Sequence, residues 1–440
     1  HKALLAGLNY YEFRYREADF GSYPKGLMYG LQIMDSWLYE DSLPFLHVEA
    51  NQTFADLRAK VEEGYFEDLM KTMLVKNPHK TFIRLAPVKG LTAQREQALG
   101  KKLEALKKSM SEAELEAVIR QTKELERWQE EEDTPEALAK IPMLKREDIG
   151  KKAMGFCNDL KQLEDTKILF HPLFTNGIAY IRLIFDLGKL TEEEFRVLGL
   201  FKGTLGLLNT EHYTYGELYN EMNLKTGGMA AVNNVYGRIE SDERYTATLE
   251  LKVKVLYEMI PEAFRLFEEI MLTSDFSDAK RIREILAEGK SRMQGQMMSA
   301  GHSVAVNRAL SYESVVGELN EILSGVTFYK KVEEWEKHFE KYRDYLCNMF
   351  RQLARKIFRA ENLMVDYVAE EKEYDRILPC IQALKEHLYR EPLGEFLPYQ
   401  PVPVKKQEGF KSASQVQYVA VTGNFKKRGL PYTGALKVLK

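Results

Sequence analysis

Two apolar, β-prone runs, residues 167–174 and 178–185, are joined through Thr175-Asn176-Gly177. Asn-Gly between such runs is a strong short-range hairpin signal, so the two strands are expected to pair with each other. Thr191-Glu-Glu-Glu194 then opens a helix with a capping box, and Leu190 and Phe195 stand where a hydrophobic staple would close. A second helix near residues 215–224 ends in Lys225-Thr226-Gly227-Gly228, and a strand follows from Met229. The paired glycines suit a helix end with φ > 0 and close packing of the next strand. Such a succession calls for a sheet covered by helices.

With 440 residues the chain exceeds what one hydrophobic core usually supports, so two or three domains are expected. Residues 1–88 read as helix-rich, with apolar residues at helical spacing over 23–39 and 53–74, and close on an alternating, strand-like run over 79–88. Residues 89–143 differ in kind. Leu99, Leu103, Leu106 and Met110 form one apolar stripe, while Leu115, Val118, Ile119, Thr122 and Leu125 continue it on a second helix. Ser111 and Glu114 supply a capping box between them, which makes 91–132 an αα-hairpin with a charged outer face. A proline-marked linker over 133–143 leads into a mixed domain over 144–390. There Tyr245, Ala247, Leu249, Leu251, Val253 and Val255 face one way and Thr246, Thr248, Glu250, Lys252 and Lys254 the other, the pattern of an antiparallel strand with one wet face. Five or more helices follow between 256 and 358, and 362–368 reads as a late strand. Residues 391–440 begin as a linker with Pro392, Pro398, Pro401 and Pro403 and continue into a strand over 415–421. The fold class is therefore α+β, with a mostly antiparallel sheet covered by helices.

The net charge of −3 gives nothing that globally attracts nucleic acid or anionic lipid. No apolar run is long enough to span a bilayer. Cys157, Cys347 and Cys380 lie far apart, which fits a reducing compartment and speaks against a disulfide framework or a thiolate metal site. The chain starts at His1 inside a helical run and stops in a helix-like one, so it reads as an excised piece of a longer polypeptide.

Candidate chemistry is sparse. Zinc sites built as H-x-x-E-H or H-E-x-x-H are absent among the eight histidines. Glu334 and His338 sit at i, i+4 on a helix expected over 332–345, yet lack a third ligand. Glu211-His212 and Glu386-His387 are adjacent pairs that diverge on any regular element. No nucleophile elbow, phosphate loop or dinucleotide fingerprint occurs, and Gly203-Thr-Leu-Gly206 is too short to cradle a phosphate. His302 could face a chamber, with Ser303 as a helix cap, but a structural histidine is the simpler reading. The residues provide no self-sufficient active site: no catalytic, cofactor-binding or metal-binding residue is expected.

The order of these elements resembles the pitrilysin–insulinase family of zinc metallopeptidases, in its presequence protease and falcilysin branch. Residues Thr175-Asn-Gly-Ile-Ala-Tyr-Ile-Arg182, Leu224-Lys-Thr-Gly-Gly-Met229 and Ser299-Ala-Gly-His302 carry the resemblance. It implies four repeated α/β domains in two halves that clasp a closed chamber. Zinc would be held in the first domain by an H-x-x-E-H helix, whose glutamate activates the metal-bound water. By position this chain is similar to the tail of the second domain, the helical hairpin, the whole third domain and the opening strand of the fourth. The helix from Thr191 stands where the metal helix of an active repeat would be, but Phe195–Gly206 holds no histidine and no carboxylate. The resemblance thus implies a non-catalytic repeat within a zinc peptidase. It would form chamber wall and hinge and contact unfolded peptides and the remaining domains, without nucleic acid or membrane partners. No zinc is expected in this piece. A non-catalytic scaffold of the same fold and an adaptor acting through the 91–132 hairpin are the rival readings. A bacterial cytoplasm is the expected location, with an organelle matrix as the alternative.

Overall fold

The computed structural model describes residues 1–153, 155–395, 397–411 and 416–439. Helices α1 (Lys2–Glu17), α2 (Lys25–Trp37), α3 (Asn51–Glu62) and α4 (Tyr65–Met70) come first, then α5 (Leu91–Ser109), α6 (Glu112–Glu130) and α7 (Pro135–Leu138). Next are β1 (Asp159–Leu163), β2 (Thr166–Pro172), β3 (Ile178–Asp186), α8 (Glu192–Thr204), α9 (Tyr215–Lys225), β4 (Gly228–Gly237) and β5 (Tyr245–Leu256). Six helices follow: α10 (Ile260–Leu272), α11 (Ala279–Ser299), α12 (Gly301–Leu310), α13 (Val315–Ser324), α14 (Val326–Lys337) and α15 (Phe339–Ile357). After them come β6 (Leu363–Ala369), α16 (Leu378–His387) and α17 (Ala435–Leu439). The chain divides into two units, His1–Glu67 with Cys157–Lys440, and Asp68–Phe156.

In the first unit the six strands form one sheet in the order β1-β2-β6-β3-β5-β4. Every pairing is antiparallel except β2 with β6. The Asn-Gly turn has the expected backbone, with φ of 53° at Asn176 and 85° at Gly177. It does not make a hairpin. β6 enters between β2 and β3, with Leu169 opposite Asp366 on one side and Arg182 opposite Asp366 on the other. The physical reason is core formation: Leu363, Val365, Tyr367 and Ala369 of β6 are all buried, and only a central slot can bury them. A local turn signal is blind to a strand that arrives from so far along the chain.

One face of the sheet carries the core, where Ile168, Phe170, Ile181, Leu183, Phe185, Leu249, Leu251 and Val253 meet α8, α10 and α15 side chains. Phe201 of α8 lies among Phe276, Phe350 and Phe358, with ring centroids 5.5, 5.9 and 6.1 Å away. Burying one such ring contributes about 2–3 kcal/mol.

α1 is docked on the same unit. Asn9 Nδ2 donates to the carbonyls of Asn223 and Thr226, and Lys254 Nζ donates to Glu17 at 2.6 Å. A Cβ on Gly227 would lie 2.3 Å from the ring of Phe13, which is itself buried. The first glycine of the Gly-Gly pair therefore admits a helix, while the second, Gly228, takes the positive φ of 128°. Gly227→Ala should cost about 1–3 kcal/mol by overpacking. The expected readout is faster proteolysis within α1 at unchanged cleavage elsewhere.

In the second unit, Lys71–Val75 is a π-helical turn and residues 79–88 form no strand. Phe82, Ile83 and Leu85 are exposed there, because alternation alone gives no ladder partner. α5 and α6 both form, and Ser111 and Glu114 close the expected capping box. Their apolar stripes, however, do not shield one another: Leu99, Leu103, Leu106, Val118, Ile119 and Leu125 are all exposed. Of the strand expected over 415–421, residue 415 lies outside the described residues and 416–421 lie outside the sheet.

Candidate functional site

Two places in the fold invite a search for chemistry: helix α8, and the sheet face turned away from the core. α8 begins with the Thr191/Glu194 capping box, and the same Glu194 accepts from Lys356 Nζ at 2.8 Å. Its only buried carboxylate is thus engaged twice. Beyond the first turn Val197, Leu198, Leu200 and Phe201 are buried in the core. At Gly199 the helix touches α13 so closely that a Cβ would lie 2.3 Å from the Leu323 carbonyl oxygen and 2.8 Å from the Phe328 ring. Lys202 has its pKa lowered, first by burial and then by the nearby Arg292 charge. Past its first turn this helix is a packing element that carries no carboxylate, histidine or thiol.

The opposite sheet face carries a row of polar groups drawn from β2, β3, β4, β5 and β6. Arg182 Nε donates to Asp366 Oδ2 at 2.6 Å, and His171 Nε2 lies 2.9 Å from Asp366 Oδ1. His171 Nδ1 is 2.9 Å from the Cys157 carbonyl. One strand over, Glu250 Oε1 accepts from Tyr236 at 2.8 Å and from Thr248 at 3.1 Å. Glu250 Oε2 is buried without a hydrogen bond, and Arg182 Nη1 stands 3.8 Å from it. Burial, then the hydrogen bond to Glu250 and its charge, push the Tyr236 phenol up to about 12. The face expected to be wet is dry at its centre, since Thr248 and Glu250 are 5% and 1% exposed. Each acid is already matched to a donor or a cation, so the row ties five strands together rather than offering a free acid and base. Sequence reasoning missed it. The available signal was Asp366, a charge inside the otherwise apolar run 363–369.

Of the sequence-derived candidates, His212 and His387 line one cavity beside Glu268 and Glu269, and the others lie apart from it. His338 lies outside α14, which ends at Lys337, and the expected 332–345 helix breaks there. The i, i+4 backbone bond from His338 N–H to the Glu334 carbonyl is kept at 3.1 Å, while the Glu334 carboxylate accepts from Lys331 and Tyr342. His212 pairs with Glu269 at 2.5 Å and His387 with Glu268 at 3.2 Å, so both imidazoles clasp consecutive residues of α10. Glu269 has its pKa lowered: burial acts to raise it, but hydrogen bonds from Thr210, Thr273 and His212 outweigh that. Ser303 is inside α12 and caps nothing; the preceding Gly301 is needed because a Cβ there would lie 2.5 Å from the Tyr418 ring. His302 stands beside that ring, with centroids 6.1 Å apart. Among the described residues no group of three His, Cys, Asp or Glu is placed to hold a metal ion, and no helix is long and apolar enough to cross a membrane.

A family model for the region associated with peptidases of family M16, subfamily C, matches residues 85–334, more than half of the chain. The chain belongs to the pitrilysin family, as a presequence protease-like member. "Protein HypA" of Clostridium perfringens is 33% identical over 446 residues, covering 99% of this chain and 44% of that protein. "Presequence protease 1, chloroplastic/mitochondrial" of Arabidopsis thaliana is 25% identical, covering 99% of this chain and 41% of that protein. The mitochondrial presequence protease of Drosophila melanogaster is 23% identical over 72% of this chain and 30% of its own length. This pitrilysin-family chain thus spans less than half of the relatives it matches. A catalytic zinc needs three protein ligands and an open position. The groups on α8 do not fit it, because the helix presents apolar side chains, a tight glycine contact and a carboxylate already bound to Lys356.

Proposed function

We propose that this chain is the central, non-catalytic part of a zinc-dependent metalloendopeptidase that degrades unfolded peptides in a closed chamber. It forms chamber wall and, through residues 91–132, the hinge between two halves. The observation that supports this reading is α8, which stands where the resemblance puts the metal helix of an active repeat and is taken up by buried apolar side chains and a tight glycine contact. A wall needs rigidity more than chemistry, and the cross-strand polar row and the continuous aromatic core supply it. The residues missing here lie in the remainder of a parent polypeptide about twice this length, as the two relatives covered to 44% and 41% suggest.

The purified chain should not hydrolyse an unfolded peptide and should hold no stoichiometric zinc by elemental analysis. Supplying the rest of the parent polypeptide should produce cleavage that a chelator abolishes. Chelator-sensitive hydrolysis by the chain alone would sink the proposal.

A further inference from the structure

Residues 397–411 form no helix or strand, yet they are fastened to the first unit at two places. At the first, the Tyr399 N–H donates to the Leu190 carbonyl at 2.9 Å and the Tyr399 carbonyl accepts from the Tyr245 hydroxyl at 3.0 Å. The Tyr399 ring lies 5.9 Å from that of Phe195. At the second, Glu408 Oε1 accepts from Arg308 Nη2 of α12 at 2.5 Å and from the Tyr312 hydroxyl at 2.6 Å. Arg308 is itself buried, and its Nη1 donates to Glu321 of α13 at 2.7 Å and to the Thr327 hydroxyl of α14 at 2.8 Å. Glu321 Oε1 also accepts from the Thr327 N–H at 2.8 Å.

The two acids on Arg308 are not equivalent. The Glu321 side chain is 2% exposed and ties three helices together, so separating it from the guanidinium would strand a buried charge. The Glu408 side chain is 22% exposed and can turn into water, leaving Arg308 still neutralised by Glu321. Burial acts to raise the Glu408 pKa, but hydrogen bonds from Tyr312 and Arg308 outweigh it and keep the carboxylate charged. Beyond this contact the segment is loosely seated. A cavity of about 1,070 Å³ lies between Lys405–Lys411 and helices α12 and α14, with Val304, Ala309 and Val326 on its helical side and residues 416–422 along it as well. An element of the core would fill such a space. Phe410 is half exposed and meets the helices through cations, 5.8 Å from Arg308 and 5.0 Å from Lys330. A second ion pair, Lys405 to Glu313 at 3.1 Å, is exposed on its lysine side and contributes little. We propose that residues 403–411 are a latched strap: Glu408 closes on Arg308 and Tyr312, and its release lifts the strap off α12 and α14 and opens the cavity as a groove while the fold beneath stays whole. The strap turns near Val402, which is exposed, because Tyr399 is pinned and Pro401 is buried. Openings of this kind belong to segments with few buried apolar contacts.

The strap carries its own reporters, since Lys405, Lys406 and Lys411 are trypsin sites. Timed digestion of the full chain, read by mass spectrometry, follows the strap, and urea unfolding follows the fold beneath it. Glu408→Gln keeps the side-chain shape and removes the charge. Cleavage at the three lysines should rise by about tenfold or more, because a charge-assisted bond becomes a neutral one and cleavage tracks the open population. Its urea midpoint should stay at the wild-type value. Tyr312→Phe, which removes one of the two donors to Glu408, should fall between wild type and Glu408→Gln in cleavage rate. Glu321→Gln should instead lower the midpoint, since it disrupts the permanent pair. Three outcomes overturn the latch. Unchanged cleavage in Glu408→Gln would mean that packing holds the strap. A midpoint that falls together with faster cleavage would make the strap part of the cooperative core. Cleavage of the wild-type strap as fast as in the urea-unfolded chain would mean that it does not close.

Discussion

Gly199→Ala should destabilise the first unit by about 3 kcal/mol in urea unfolding, while Gly203→Ala, one turn further along α8, should be neutral or slightly stabilising. The two sites share a helix, a residue type and a substitution, so propensity cancels in the comparison. Alanine is the better helix former at both, by about 1 kcal/mol. What differs is space. The Cβ at position 199 meets a backbone carbonyl at 2.3 Å and an aromatic ring at 2.8 Å, whereas at 203 nothing lies within 4 Å. Leu323 is near the end of α13 and Phe328 is on α14, so relief requires one helix to shift against a close-packed core. Equal stabilities for the two variants would show that α8 is not pressed against its neighbours. The account of this helix as a packing element would then fail.

Local features were legible in the sequence because the residues that make them are neighbours in the chain. The Thr191/Glu194 and Ser111/Glu114 boxes closed as spacing predicts. The positive φ values at Asn176 and Gly177 likewise follow from residue type. The strand pairing that this turn advertised did not follow, since β6 competes for the same ladder and offers four buried side chains. The helix through Glu334 and His338 shows a related limit. Apolar periodicity continues across position 338, with Val332, Trp335 and Phe339 all buried, and the structure interrupts the helix there only at His338, whose φ of −118° and ψ of 36° a one-dimensional pattern does not register. Least legible was the polar row, assembled from five strands by register alone. Lys252 and Lys254 on β5 do remain partly exposed, so the wet-face reading held at the strand's end and failed at its centre. Family membership was readable for the opposite reason: short motifs such as Leu224–Met229 combine a helix end, a close approach and a strand start in six residues.

Arg182→Met should cost about 3 kcal/mol at neutral pH, more than its partly exposed side chain suggests. The arginine side chain is 44% exposed, but its partners Asp366 and Glu250 are only 4% and 1% exposed. Its removal leaves two buried carboxylates on the strands flanking β3, with His171, Tyr236 and Thr248 as neighbouring hydrogen-bond partners and Lys252 Nζ 3.9 Å from Glu250 Oε2 as the nearest remaining cation. An uncompensated buried charge is the larger penalty, and water reaching the vacated position keeps it below the upper end of the range. Adding Asp366→Asn to Arg182→Met removes one stranded charge at nearly constant shape and should recover a large part of the loss at neutral pH. If the double variant is as unstable as the sum of the two single ones, Arg182 acts through packing alone. The row is then not the electrostatic tie across β3, β5 and β6 that its distances indicate.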